Sequence, residues 1–169
     1  MNKNLKRILV IGALLIISII LSIVELYIPM PIPEINLWLS GIIILIMLYQ
    51  FKPYEAFLLE MVRVLVVAFI RGTIRTPSFT LAVFGSLAAF LVMFLFRMIK
   101  GFSIVLVSTL GMVFHMSGQI ISLMIIADIK NGAVAVPILI SIAACFGILY
   151  GILAKFYLKT GFMENLLSD

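Results

Sequence analysis

Six apolar stretches separated by short polar segments run through the whole sequence. They cover about residues 8–28, 37–50, 54–72, 79–98, 102–127 and 136–158. A transmembrane helix needs about 20 mostly apolar residues, and every stretch except the second approaches that length. The pattern therefore predicts an all-α integral membrane protein with six transmembrane helices, in a single transmembrane domain over residues 1–169.

The third stretch carries charged side chains at membrane depth. At about 100° per residue, Glu60 and Arg71 point within about 20° of each other and Arg63 lies about 60° to one side. An ionised side chain near the bilayer centre costs at least roughly 2.5–3.5 kcal/mol and normally faces protein, a partner or a ligand path. We expect Glu60 to pair with Arg63 inside the bundle.

Composition supports a membrane protein. Of the 169 residues, 64% are hydrophobic and 11% are charged, and the mean hydropathy is +1.32, whereas soluble domains are about 45–50% apolar. The net charge of +5 does not indicate nucleic acid as a partner, because the cations are spread over short loops and termini. We expect a multi-pass protein of the cell membrane that contacts lipid, with the single Cys145 packed in its interior.

The cations indicate which way the helices run. Arginines and lysines favour cytoplasmic loops, and six spans put both termini on one side. Eight cations share the side of the termini: Lys3, Lys6, Arg7, Lys52, Arg97, Lys100, Lys155 and Lys159. The other side has three, Arg71, Arg75 and Lys130, so both termini are predicted to be cytoplasmic.

The topology rule does not explain why Arg71 and Arg75 lie on the outer side. A bound anion would explain both arginines. With Thr76 beside them, and Arg63 deeper in the helix, two arginines suit a carboxylate or phosphate because guanidinium donates charge-assisted bidentate hydrogen bonds. The alternative is that Arg71 reaches the lipid headgroups and Arg75 is solvated.

Two other segments contain candidate binding residues. The loop from Pro29 to Asn36 has three prolines at alternate positions, which predicts an extended strap, and Trp38 after it either covers a ligand or lies at the membrane interface. In the fifth stretch, His115 and Gln119 lie one turn apart and either contact a ligand or bond neighbouring helices. We expect no metal or other cofactor, because a lone histidine has too few partner ligands.

Three motifs identify a family resemblance. They are E-x-x-I-P-x-P-I-P (Glu25 and Ile28 through Pro33), R-V-L-x-x-x-x-x-R-G-T-x-x-(T/S)-P (Arg63 to Pro77) and G-x-x-x-H-x-x-G-Q (Gly111 to Gln119). From Leu5 to about Tyr157 the chain resembles the Gx transporter family, long called heptaprenyl diphosphate synthase component I. The fold of that family is like that of the substrate-binding S components of energy-coupling factor (ECF) transporters.

The resemblance implies six helices and a pocket that opens outward under the first, third and fifth loops. It also implies a coupling subunit and ATPase subunits as partners, since the chain has no nucleotide-binding loop. S components dock through small residues of the first helix, usually two alanines four apart. Here Ile17 follows Ala13 at that spacing, so the candidate docking residues are Gly12, Ala13, Ser18 and Ser22.

The sequence contains no catalytic motif that would support the synthase activity in the family's older name. Prenyl diphosphate synthases hold Mg²⁺ and diphosphate with clustered aspartates, and Asp128 and Asp169 are the only aspartates. We therefore expect no catalysis by this chain alone. The sequence favours an S component-like subunit that captures a small anionic molecule from the outer face, and the alternative is a noncatalytic subunit of a heptaprenyl diphosphate synthase or other membrane enzyme. The predicted substrate-binding residues are Asn36, Trp38, Glu60, Arg63, Arg71, Arg75, Thr76, His115 and Gln119.

Overall fold

The computed structural model describes residues 2–30, 32, 34–127 and 136–163, and in these ranges every regular element is a helix. The first helix is followed directly by one turn of 3-10 helix, Glu25–Tyr27. The six α-helices are α1 (Lys3–Val24), α2 (Gly41–Gln50), α3 (Pro53–Ile70), α4 (Pro77–Met98), α5 (Ile104–Ala127) and α6 (Val136–Lys159). The predicted all-α fold class is confirmed.

Four helices are long and apolar enough to cross a membrane: α1 with its 3-10 turn, α4, α5 and α6. The chain is thus a multi-pass membrane protein. The helix α2 has ten residues and is about 15 Å long, half of the roughly 30 Å hydrocarbon core. The helix α3 has 18 residues but contains Glu55, Glu60 and Arg63. Six spans and cytoplasmic termini remain predictions.

Side-chain contacts define how the helices run. At one end of the bundle Arg7 of α1 pairs with Glu55 of α3, with 2.6 Å between Nη2 and Oε2. Farther along, Ser22 of α1 contacts Arg63 of α3, so these two helices are parallel. The helices α4, α5 and α6 pack as consecutive antiparallel neighbours with the most extensive contacts in the bundle.

The helix α2 forms the centre of the bundle and is apolar on all sides. Seven of its ten residues are buried, as expected for a helix surrounded by protein. The predicted start of this helix, near residue 37, is wrong: it begins at Gly41, because Trp38 has a φ of 63° that no α-helix contains. Residues 35–40 instead enter the bundle as non-helical chain, with Ile35, Leu37, Trp38 and Ser40 at most 2% exposed.

The proline loop is not extended to its end. The Ile35 N–H donates to the Ile32 carbonyl at 3.1 Å, so the chain turns before it enters the bundle. Pro31 and Pro33 lie outside the described residues.

The expectation that Cys145 packs in the interior is wrong, because this side chain is exposed on α6.

Two glycines let α6 approach α5 closely. A Cβ atom on Gly147 would lie 2.6 Å from the Cα of Thr109, and one on Gly151 would lie 2.5 Å from the Cα of Val105. Both clashes would be with backbone, which cannot rotate away. The small residues of α6 therefore set its distance from α5.

We predict that Gly151→Ala lowers the free energy of unfolding by about 1–3 kcal/mol, because the added methyl group overpacks the α5–α6 contact. The matched control is Gly12→Ala, the same change in α1, where a Cβ meets nothing within 4 Å. That control should be neutral, or stabilising by up to about 1 kcal/mol, because alanine favours helix. Thermal unfolding of both variants in detergent measures the difference, and equal midpoints would contradict the prediction.

Candidate functional site

A buried ion pair in α3 lies at the base of the candidate site. The guanidinium of Arg63 binds both carboxylate oxygens of Glu60, with Nε at 2.9 Å from Oε2. It also donates to the hydroxyls of Ser22 at 2.8 Å and Ser86 at 3.2 Å. The predicted Glu60–Arg63 pair is therefore present, with Glu60 fully buried and Arg63 5% exposed.

These contacts limit how many hydrogen bonds Arg63 can offer to the predicted anion clamp. A guanidinium has five N–H donors, and four hydrogen bonds to Glu60, Ser22 and Ser86 already engage it. Its charge is also balanced by Glu60. Arg63 thus fastens α1 and α4 to α3, and one donor is left for a ligand.

Trp38 forms one wall of the site and is buried, which excludes a place at the membrane interface. Its indole N–H donates to Oε1 of Glu60 at 3.0 Å, and its ring stacks on His115 with 4.5 Å between centroids and 6° between planes. The other side of the ring lies against Gly41, where a Cβ would be 2.6 Å from indole Cε3. The unusual positive φ of Trp38 is thus held by three sets of contacts.

Gln119 and Glu25 satisfy the backbone of the buried non-helical segment. The amide of Gln119 accepts from the Asn36 N–H and donates to the Asn36 carbonyl, both at 2.8 Å. Oε2 of Glu25 accepts from the Leu39 N–H at 2.7 Å. Backbone groups at membrane depth need such partners because no lipid atom can replace them. Gln119 therefore positions the loop. Its side chain is fully buried and its amide is engaged by Asn36, so the predicted contact with a ligand stays a prediction.

Two adjoining cavities open beside these residues. The first, which we call the inner cleft, has a volume of about 30 Å³ and is lined by Glu25, Asn36, Trp38, Arg63, Val64, Val67, Ala68, Arg71, Thr73, Ser78, Phe79, Ala82, Ser86 and His115. The second, the mouth chamber, has a volume of about 370 Å³ and is lined by Glu25, Leu26, Ile28, Pro29, Met30, Ile35, Asn36 and Arg71. The mouth chamber is within the usual range for ligand pockets, about 300–1,000 Å³.

Three residues line both cavities and so mark the passage between them: Glu25, Asn36 and Arg71. Arg71 follows the last turn of α3 and is partly exposed. Within the part of the chain that the structure describes, it has no hydrogen bond to its side chain and no ion pair. Its guanidinium is thus available to a bound group.

Arg75 and Thr76, the other predicted outer residues, do not join this site. Both are exposed, and neither is among the described residues that line the inner cleft or the mouth chamber. The Thr76 hydroxyl instead donates to the Thr73 carbonyl at 2.8 Å and closes the turn between α3 and α4. The predicted clamp of three arginines is therefore reduced to Arg71, with Arg63 beneath it.

His115 presents an unsatisfied polar atom. The residue is 3% exposed and lines the inner cleft, and its Nδ1 has no hydrogen-bond partner among the described residues. Buried polar atoms are nearly always bonded to protein, water or a ligand. The polar cleft, with room for about two water molecules, can supply that partner.

The predicted docking face of α1 needs a correction. Ser18 is fully buried and Ser22 is 1% exposed. They bond the Leu15 carbonyl at 2.8 Å and Arg63, so both belong to the chain's own packing. Gly12 and Ala13, on the outside of α1, remain open to a partner.

Sequence reasoning missed Thr73 and Ser86 as residues that line the cleft. Ser86 stood within a patch of small residues in the fourth stretch, which indicates close packing and gives no sign of a bond to Arg63. The partner of Gln119 was also missed, because it is main chain 83 residues away.

Comparison with known proteins gives one family. The family model described as heptaprenyl diphosphate synthase component I matches residues 14–157. No curated protein and no solved structure matches the chain.

The buried pair generates a stability prediction. Glu60→Gln or Arg63→Met alone should lower the free energy of unfolding by about 3–5 kcal/mol, because each leaves an unpaired buried charge. The double variant should lose less unfolding free energy than the two single variants lose together, since it leaves no buried charge without its partner. Thermal unfolding in detergent tests this, with the exposed Arg75→Met as control. Additive single losses would contradict the pairing.

Proposed function

The chain belongs to the heptaprenyl diphosphate synthase component I family, and we propose that it is a substrate-binding membrane subunit that captures a small anionic molecule. The observation that carries the proposal is the position of Arg71. It is a cation without a partner among the described residues, at the passage between a chamber of ligand size and a buried polar cleft.

The geometry supports an anion as the bound group. Guanidinium donates paired hydrogen bonds to carboxylate or phosphate oxygens. Thr73 and Ser78 line the cleft beside Arg71 and bring further polar atoms to it. The apolar residues of the mouth chamber would cover the rest of the ligand.

In this proposal the ligand enters from the outer face of the membrane, and partner subunits drive transport. The resemblance to ECF S components supports this arrangement, since the cavity lies under the first and third loops. ATPase subunits would hydrolyse ATP, and a coupling subunit would dock on α1. Gly12 and Ala13 are the small residues that this surface still offers.

The family description favours a second candidate function. A component I implies another component, and the chain would then be the noncatalytic membrane subunit of a heptaprenyl diphosphate synthase. Arg71 would contact an isoprenoid diphosphate in that case. The two functions differ in the side of the membrane on which the cavity opens.

We predict that Arg71→Ala weakens ligand binding roughly 10- to 100-fold, the effect of a lost charged hydrogen bond of about 1.5–3 kcal/mol. Native mass spectrometry of the purified chain should show a small molecule that the variant loses. Arg75→Ala, an exposed arginine four residues away, is the matched control and should retain it. Loss from both variants or from neither would contradict a specific role for Arg71.

A labelling experiment separates the two candidate functions. Arg75→Cys in a Cys145→Ser background should react, in intact cells, with a maleimide that cannot cross membranes. Labelling only after the cells are opened would place the third loop inside and overturn capture from the outer face. A Lys52→Cys variant in the same background is the control for the opposite side.

A further inference from the structure

We infer that the ligand is zwitterionic: besides the anionic group for Arg71, it carries an amino group that binds Glu25. This inference rests on the proposed function and narrows its substrate class. It follows from the charges that remain at the site after every contact between described side chains has been assigned.

Glu25 is a buried carboxylate that belongs to neither ion pair of the described residues. It is 7% exposed, and its one hydrogen bond in the described structure is the 2.7 Å contact from the Leu39 N–H to Oε2. The ion pairs among the described residues are Arg7–Glu55 and Glu60–Arg63, and neither includes Glu25. Burying a carboxylate is costly unless it is paired, so its position at the passage between the cavities favours a cationic ligand group.

Charge balance leads to the same result. Glu60 and Arg63 neutralise each other, which leaves Glu25 and Arg71, one charge of each sign, lining both cavities. They are not within ion-pair distance of each other. A ligand with only an anionic group would satisfy Arg71 but add a negative charge near Glu25. A zwitterion satisfies both.

The two cavities differ in a way that suits such a molecule. The inner cleft, at about 30 Å³, has room for a small polar head. There the Nδ1 of His115, which has no partner among the described residues, offers one more hydrogen bond. The mouth chamber, at about 370 Å³, can hold a larger body against Leu26, Ile28 and Met30. The geometry therefore fits an amphipathic zwitterion whose charged end points into the bundle.

Matched molecules test this inference. Each of three sets contains a zwitterion, a matched anion that lacks the amine and a matched amine that lacks the anionic group. The first set is leucine, 4-methylpentanoate and 3-methylbutylamine, and the second is 6-aminohexanoate, hexanoate and hexylamine. The third is 2-aminoethyl phosphate, ethyl phosphate and ethylamine. Binding to the full chain is read by thermal shift and by fluorescence of Trp38, the only tryptophan, which lines the cleft. In at least one set the zwitterion should bind at least tenfold more tightly than both matched molecules.

Charge-removing variants assign the preference to residues. Glu25→Gln keeps an acceptor for the Leu39 N–H and should bring the zwitterion to the affinity of its matched anion. Glu34→Gln, which changes an exposed glutamate in the loop that follows, should leave the preference unchanged. Arg71→Gln should instead make the zwitterion bind no more tightly than its matched amine.

The outcomes separate this inference from the proposed function. If the anion binds as tightly as the zwitterion and Arg71→Gln removes that binding, the zwitterion is overturned and anion capture stands. If the preference survives Glu25→Gln, the assignment to Glu25 is overturned. If no member of any set binds, the zwitterion inference is overturned, while anion capture is judged by the molecule that copurifies with the chain and its dependence on Arg71.

Discussion

The structure depends on one constraint, which is that non-helical backbone inside a membrane protein must find its hydrogen bonds within the protein. Residues 35–40 are such a segment. Gln119 from α5 satisfies Asn36, and Glu25 satisfies Leu39. These bonds allow the second helix to start deep in the bundle, and the space left above it, under the first loop, is where the cavities lie.

The charged side chains around the cavities divide into a paired group and an unpaired group. Glu60 and Arg63 join α3 to the first loop through Trp38, and to α1 and α4 through two serine hydroxyls. Their charges are thereby used within the protein. Glu25 and Arg71 belong to neither ion pair of the described residues, and they line both cavities. The proposed chemistry rests on this second group because its two opposite charges are not joined in an ion pair.

The sequence predicted the parts of this arrangement that depend on local spacing. Six helices follow from apolar length, and the Glu60–Arg63 pair follows from a three-residue step along one helix. The sequence could not predict the contacts of Gln119 with Asn36 or of Ser22 with Arg63, because those partners lie 83 and 41 residues apart and meet only when helices pack. The positive φ of Trp38 was also hidden, since a bulky residue there gives no sign of a left-handed turn.

The buried centre of α2 determines what kind of container the site is. Directly below Trp38, residues 43–48 are apolar and buried, and at the far end Arg7 lies over Phe51 and Arg97 over Tyr49. In the described structure the cavities therefore have a solid floor. With this floor closed across the described residues, a ligand bound in this conformation would have to leave by the mouth chamber.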